Sequence, residues 1–379
     1  MTTVDTGARQ ASQPSADEPL RIRTVTPEDV LTLVGAAIGA LGLDWLVYER
    51  LLPWTGALGF WVCWYVLFAL FYVAAATMRW NRLVVRDKTV AVLVSTGGVF
   101  ATAVVVDQIG YSFVKSLSAI VHPNFWTSTM VSTGFLQPLS SGGMAHAAVG
   151  SLEQLGIATL LAVPLGITAA VFLAEVGGAL ARPVRTIVNA MTALPSIIAG
   201  LLIYALVVLS FGLGKCGLAA AMAISIVMLP TVIRAGEVVL RVVPGTLREA
   251  SFALGASHWR TVWKVILPTA RSGLATAVVL AMARGIGETA PVLLVAGYSN
   301  SMNVNAFSGW QATLPTFIFN NVYVYGEYPE YVERAFGAGF ALMLVVVVLF
   351  SIARILGGKR PGELSKRQLR RLRREAQQS

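Results

Sequence analysis

"REASFALGASHWRTVWKVILP", residues 248–268, is the stretch on which the fold turns. It reads as a short amphipathic helix, a turn at Gly255, and a second, basic amphipathic helix ended by Pro268. It occupies the centre of a connection over residues 235–271, with apolar runs on both sides. A simple turn needs far fewer residues than this. The connection is therefore expected to be a structured element between two helices, with small residues for close approach and Glu249 placed near a helix start.

The flanking runs set the class. Hydrophobic residues make up 56% of the 379 positions and charged residues 13%, a balance that excludes an ordinary soluble domain and predicts an all-α integral membrane protein. About eight spans account for the apolar sequence: 30–48, 58–78, 89–107, 152–174, 186–211, 216–234, 272–297 and 335–356. Each is long enough to cross about 30 Å of hydrocarbon as a helix. Lys and Arg set the orientation. With both termini cytoplasmic, the inner connections hold four basic residues at 79–88, two at 182–185, six at 234–271 and nine from 354 onward, against Arg50, Lys115, Lys215 and Arg334 outside. Topology thus accounts for the +10 net charge, and the basic tail at 357–379 is expected to meet anionic lipid headgroups and no nucleic acid. Residues 1–29 lack the layout of a signal peptide and read as a disordered cytoplasmic tail.

Residues 108–151, with "HPNFWTSTM" and "QPLSSGGMAH", form an expected extracytoplasmic loop that parts three amino-terminal spans (30–107) from five later ones (152–356). Asp44 and Asp107 fall near predicted span ends, where snorkelling to the interface explains them. Cys63 and Cys216 stand apart from any Cys or His and read as buried free thiols, with no metal site. The later spans carry closely spaced small residues, as in "GLAAAMAISIVML" (217–229), which favours tight helix packing.

The spacing within 248–268 resembles the EAA loop of bacterial type I ABC importer permeases. The matching positions are Glu249, Ala250 and Ser251, then Gly255, then Val265, Leu267 and Pro268. Serine stands for the motif's third alanine and valine for its isoleucine. The resemblance implies a five-helix permease core whose loop docks into a separate cytoplasmic ATPase. A separate ATPase is expected because the chain has no phosphate-binding loop: in "LSFGLGKC" (209–216), Leu209 replaces the first glycine and Cys216 the Mg²⁺-binding hydroxyl. ATP and Mg are then used by the partner, and this chain is expected to bind no cofactor and to catalyse no reaction.

A second stretch, "ARGIGETAP" (283–291), puts two charges between "SGLATAVVLAM" and "VLLVAG". Arg284 and Glu288 are four apart, as on one helix face, and Thr289 follows. Two readings stand: an internal ion pair that fixes packing, or an arginine fork that meets an anion while Glu288 orients it or works protonated. Here "ARGIGETAPVLLVAG" is similar to the A-R-x-x-G-E-T-A-P-L-L segment of the A-type (PstA) permeases of bacterial phosphate importers, and Ala290 and Pro291 favour the A type over the C type. Residues 142–175 and "ALPSIIAGLL" (193–202) resemble that family too, within a likeness running from about 122 to 356. It implies a phosphate pathway through Arg284, Glu288 and Thr289 and a plasma-membrane location. The implied partners are a C-type (PstC-like) permease, an ATPase (PstB-like) dimer and an extracytoplasmic phosphate-binding (PstS-like) protein. The alternatives are an importer of another anion or small solute, or an ion-coupled secondary transporter. The family has six spans, so the first three spans here fall outside the likeness.

Overall fold

The computed structural model describes residues 26–51 and 56–357. The expected amino-terminal tail up to residue 25 and the basic tail from 358 lie outside the described residues. Two compact units divide after Asp107. All regular structure among the described residues is helical. Seven helices are long and apolar enough to cross a membrane, or eight if one bent pair counts as a span.

In the first unit, α1 (Pro27–Trp45) starts earlier than expected, on a capping box in which Thr26 and Asp29 each accept from the other's backbone N–H, with Pro27 in the first turn. It continues as a π-helical turn, Leu46–Leu51, and is followed by α2 (Ala57–Arg79) and α3 (Arg82–Ile120). Ala36 and Ala40 pack with Phe68 and Tyr72, and the Trp64 indole N–H donates to the Ala37 carbonyl at 3.2 Å. Asp44 does not snorkel to an interface. It is fully buried beside the half-buried Cys63, because the π turn carries the helix on past it.

The third helix also overrules the expected span end at Asp107. No proline interrupts the chain until Pro123, so α3 carries Asp107 and Lys115 as exposed helical residues and passes into the second unit. There α4 (Pro123–Thr127) precedes α5 (Ala145–Val171), which ends in a π turn, Phe172–Val176. The expected loop over 108–151 is thus helical at both ends. Arg334, counted as a loop cation from sequence, holds the irregular part in place. Its guanidinium is completely buried and donates to the carbonyls of Gln137 (3.2 Å), Pro138 (2.8 Å) and Ser141 (2.9 Å).

The fifth expected span, 186–211, is two helices, α6 (Ala181–Ala193) and α7 (Ser196–Ile203), bent by 102°. Pro195 lacks an N–H and forces Leu194 into an extended conformation, ψ 130°, which breaks the hydrogen-bond ladder. The π turn Tyr204–Ser210 follows, then α8 (Gly217–Val242), α9 (Gly245–Ala253) and α10 (His258–Thr261). A π turn, Val262–Ile266, leads into α11 (Leu267–Ile286), so Pro268 does not end the helix as the sequence suggested. It sits in the first turn of α11, while the wide turn bonds Leu267 N–H to Val262 O and Val265 O receives the Thr269 hydroxyl at 2.6 Å. The chain closes with α12 (Ala290–Ala296), α13 (Leu314–Phe319) with its π turn Asn320–Val324, and α14 (Pro329–Gly357).

The core of the second unit lies where α5 meets α8. Ala219, Ala220, Ala221 and Ala223 of α8 are wholly buried against Leu155, Ala158 and Ala162 of α5. A Cβ on Gly166 would stand 2.6 Å from the Val232 side chain, so glycine is what permits this approach.

Candidate functional site

Two regions carry the residues singled out by sequence. The first is the loop of α9 and α10. Pro244 opens α9, and its end is a complete Schellman motif: Gly255 N–H bonds to Phe252 O at 2.9 Å and Ala256 N–H to Ser251 O at 3.1 Å. Gly255 has φ +78°, the left-handed conformation that the motif needs and that side chains oppose. Ser251, one of the two departures from the family motif, bonds its hydroxyl to that of Thr261 at 2.9 Å and ties the two helices together. Phe252 stacks on His258 beside that bond.

No residue of α9 is buried. Glu249, Ala250 and Gly255 are exposed, Val265 and Leu267 are half-buried, and Pro268 is exposed. Leu254 is 89% exposed, Trp259 61% and Trp263 65%, so three large apolar side chains stand open on this loop. One side chain that the sequence reading missed anchors this element. Arg248 forks onto Glu175, Nη2 to Oε1 at 2.8 Å and Nε to Oε2 at 3.3 Å, and also donates to Val243 O at 2.7 Å and Leu240 O at 3.0 Å. A single guanidinium thereby joins α9 to the end of α8 and to the π turn after α5. Its sequence signal was only an arginine preceding the Glu249 motif.

The second region is the break at "GET". The helix α11 stops at Ile286 with Gly287 as its cap, and α12 restarts at Ala290 with Pro291 in its first turn. Arg284 and Glu288 therefore do not share a helix face: one ends α11, the other lies in the break. No ion pair or hydrogen bond joins them. Packing pins the break on both sides. A Cβ on Gly285 would meet the Met228 sulfur at 2.7 Å, and one on Gly200 the Pro291 Cα at 2.7 Å.

Arg284 is exposed, while Glu288 and Thr289 are half-buried. Arg284 lines a recess of about 60 Å³ together with Ser196, Thr231, Pro195 and Pro230 and apolar side chains that include Ile198, Leu202 and Ile226, at the bend between α6 and α7. Neither hydroxyl, nor the guanidinium, has a partner among the described residues. One permanent cation and two free hydroxyls are the donors an oxyanion takes. Ser196 and Thr231 were not picked out by sequence reasoning, though both follow a Leu-Pro pair, at 194–195 and 229–230, inside apolar runs.

The described residues thus hold several helices long and apolar enough to cross a membrane, an exposed amphipathic loop, and a cation at the end of a broken helix. Residues 162–360, just over half of the chain, match the family described as "Binding-protein-dependent transport system inner membrane component", and the chain belongs to that family. It is thus a multi-pass inner-membrane protein and a subunit of a larger transport system. Among its relatives, "Phosphate transport system permease protein PstA 1" of Mycobacterium tuberculosis (strain CDC 1551 / Oshkosh) is 39% identical over 234 residues, 61% of this chain and 75% of that protein. "Phosphate transport system permease protein PstA" of Pasteurella multocida (strain Pm70) is 34% identical over 220 residues, 58% of this chain and 77% of that one. A solved structure of the MetNI methionine ABC transporter, in an inward-facing conformation, aligns over 56% of this chain and 95% of its own at 21% identity, with a TM-score of 0.48.

Proposed function

We propose that this chain is the A-type permease of an ATP-driven importer that moves inorganic phosphate into the cytoplasm. The observation that carries the reading is the unpartnered Arg284, which shares a recess with the free hydroxyl residues Ser196 and Thr231 next to a break whose sequence resembles that of the phosphate permeases. Relatives named as phosphate permeases, with three quarters of their length covered, support the same substrate. Phosphate uptake should disappear when the gene is deleted and return when it is restored with its partners present. Restored uptake of sulfate or molybdate in place of phosphate would transfer the reading to another anion.

The partners in this reading are a C-type permease that covers the exposed Arg284 face, a cytoplasmic ATPase dimer that uses ATP and Mg, and an extracytoplasmic phosphate-binding protein. This chain supplies no group to ATP hydrolysis. The patch of Leu254, Trp259 and Trp263 docks on the ATPase, and α9 moves as a rigid lever while the two permeases alternate between outward and inward access. Rigidity comes from Arg248. Glu175→Gln removes the charge that holds the fork and should weaken the joint by about 1.5 kcal/mol, roughly tenfold in coupling. Phosphate moved per ATP hydrolysed in proteoliposomes measures this, and an unchanged ratio would take the joint out of the lever.

Both termini are cytoplasmic in this reading. A reporter active only outside the cell should work after about residue 120 or 310 and stay silent after about 84, 258 or 365. Activity at 258 would place α9 beyond reach of any ATPase.

A further inference from the structure

The first unit has no counterpart in the stretches that resemble the phosphate permeases, and it carries its own cluster of cations. Four basic residues lie between positions 79 and 88, and the structure sorts them into two kinds. Arg79 donates to the Thr32 hydroxyl at 3.2 Å. Lys88 pairs with Asp29 and lies over the Trp80 ring, 3.9 Å from its centroid. Arg82 and Arg86 have neither an ion pair nor a hydrogen bond among the described residues. They are one turn apart at the start of α3, hence on one face.

Both line an open cavity of about 520 Å³ between the end of α2 and the start of α3. Its lining includes Trp80 and Thr89, whose hydroxyl is buried without a hydrogen-bond partner, together with Val73 and Val90. The cavity sits where two apolar helices end, α2 at Arg79 and α3 at Arg82, which is the level of the headgroups in a membrane. Two free guanidinium groups suit the oxygens of a phosphate ester, an indole suits the interfacial layer, and valines suit the start of an acyl chain. A soluble anion has no use for the apolar sides.

We propose that Arg82, Arg86, Trp80 and Thr89 form a binding site for an anionic phospholipid, with its phosphate on the arginine pair and a chain along Val73 and Val90. The site rests on the membrane setting of the family and is independent of what the transporter carries. At about 1 kcal/mol for each basic residue, removing two charges should lower lipid retention about thirty-fold.

The test uses the full-length chain, taken into mild detergent from phosphatidylcholine vesicles doped with phosphatidylglycerol, with bound lipid counted by native mass spectrometry. Wild type should retain one phosphatidylglycerol more per chain than R82Q/R86Q, and R82K/R86K should fall between them. The basic carboxy-terminal tail is common to all three, so its lipids cancel. Equal retention by wild type and R82Q/R86Q overturns the site. Release of that lipid by millimolar inorganic phosphate overturns the lipid reading and makes this a free-phosphate site. Should R82Q/R86Q not fold, photoreactive phosphatidylglycerol on the wild-type chain decides: label must map to residues 73–90, and label confined to other segments refutes the proposal.

Discussion

Arg284→Gln should cut phosphate uptake by roughly 10- to 150-fold at an unchanged level of membrane protein. The two readings of "ARGIGETAP" part on this variant. An ion pair, once broken, leaves a buried charge unpaired and lowers the amount of folded chain by a few kcal/mol. The structure has no such pair to break, because Arg284 is exposed at the end of α11 and Glu288 lies beyond it. What the substitution removes is a charge-assisted fork to the anion, worth about 1.5–3 kcal/mol, or roughly 10- to 150-fold in uptake. Arg284→Lys keeps the charge without the fork and should fall between. Glu288→Gln should be milder than either. Uptake of labelled phosphate in a strain lacking other phosphate importers, read beside an immunoblot, checks the series. The double variant R284Q/E288Q should be abundant and inactive; its recovery of wild-type uptake would remove the anion site.

Gly255→Val should separate ATP hydrolysis from transport while insertion into the membrane stays normal. At φ +78° a β-branched side chain strains the backbone by about 1–3 kcal/mol, and the Schellman turn that aims α10 relative to α9 opens. Nothing lies within 4 Å of where a Cβ would stand, so the penalty is that of the backbone alone. A graded series follows from this. Gly255→Asn tolerates the left-handed region and should keep most transport, Gly255→Ala should lose part, and Gly255→Val most. Phosphate uptake and ATPase rate measured on the same proteoliposomes distinguish uncoupling from misfolding. Full uptake by the valine variant would exclude the loop from the mechanism.

Much of this was legible in one dimension. Apolar runs long enough to span hydrocarbon predict seven long helices and the bent pair, since helices there must satisfy their own hydrogen bonds within the run. The helix, turn and helix of 248–268 follow from a glycine that permits positive φ and from amphipathic spacing, both properties of neighbouring residues. The breaks were written in Pro195 and Pro291 as well, yet a long apolar run conceals them until the bend is seen, as it is by 102° between α6 and α7.

What the sequence by itself determined was therefore the membrane class, the approximate number of apolar helices and the helix-turn-helix of residues 248–268, because those depend on hydropathy and backbone preference over a few residues. Tertiary structure alone decided which groups meet. The end of α11 put Arg284 and Glu288 on different elements, and packing set Arg284 beside Ser196 and Thr231, which are distant in sequence. It also brought Arg248 to Glu175 and buried Arg334 among carbonyls. Such meetings depend on how segments far apart in the chain fit against one another, and no local periodicity encodes that fit.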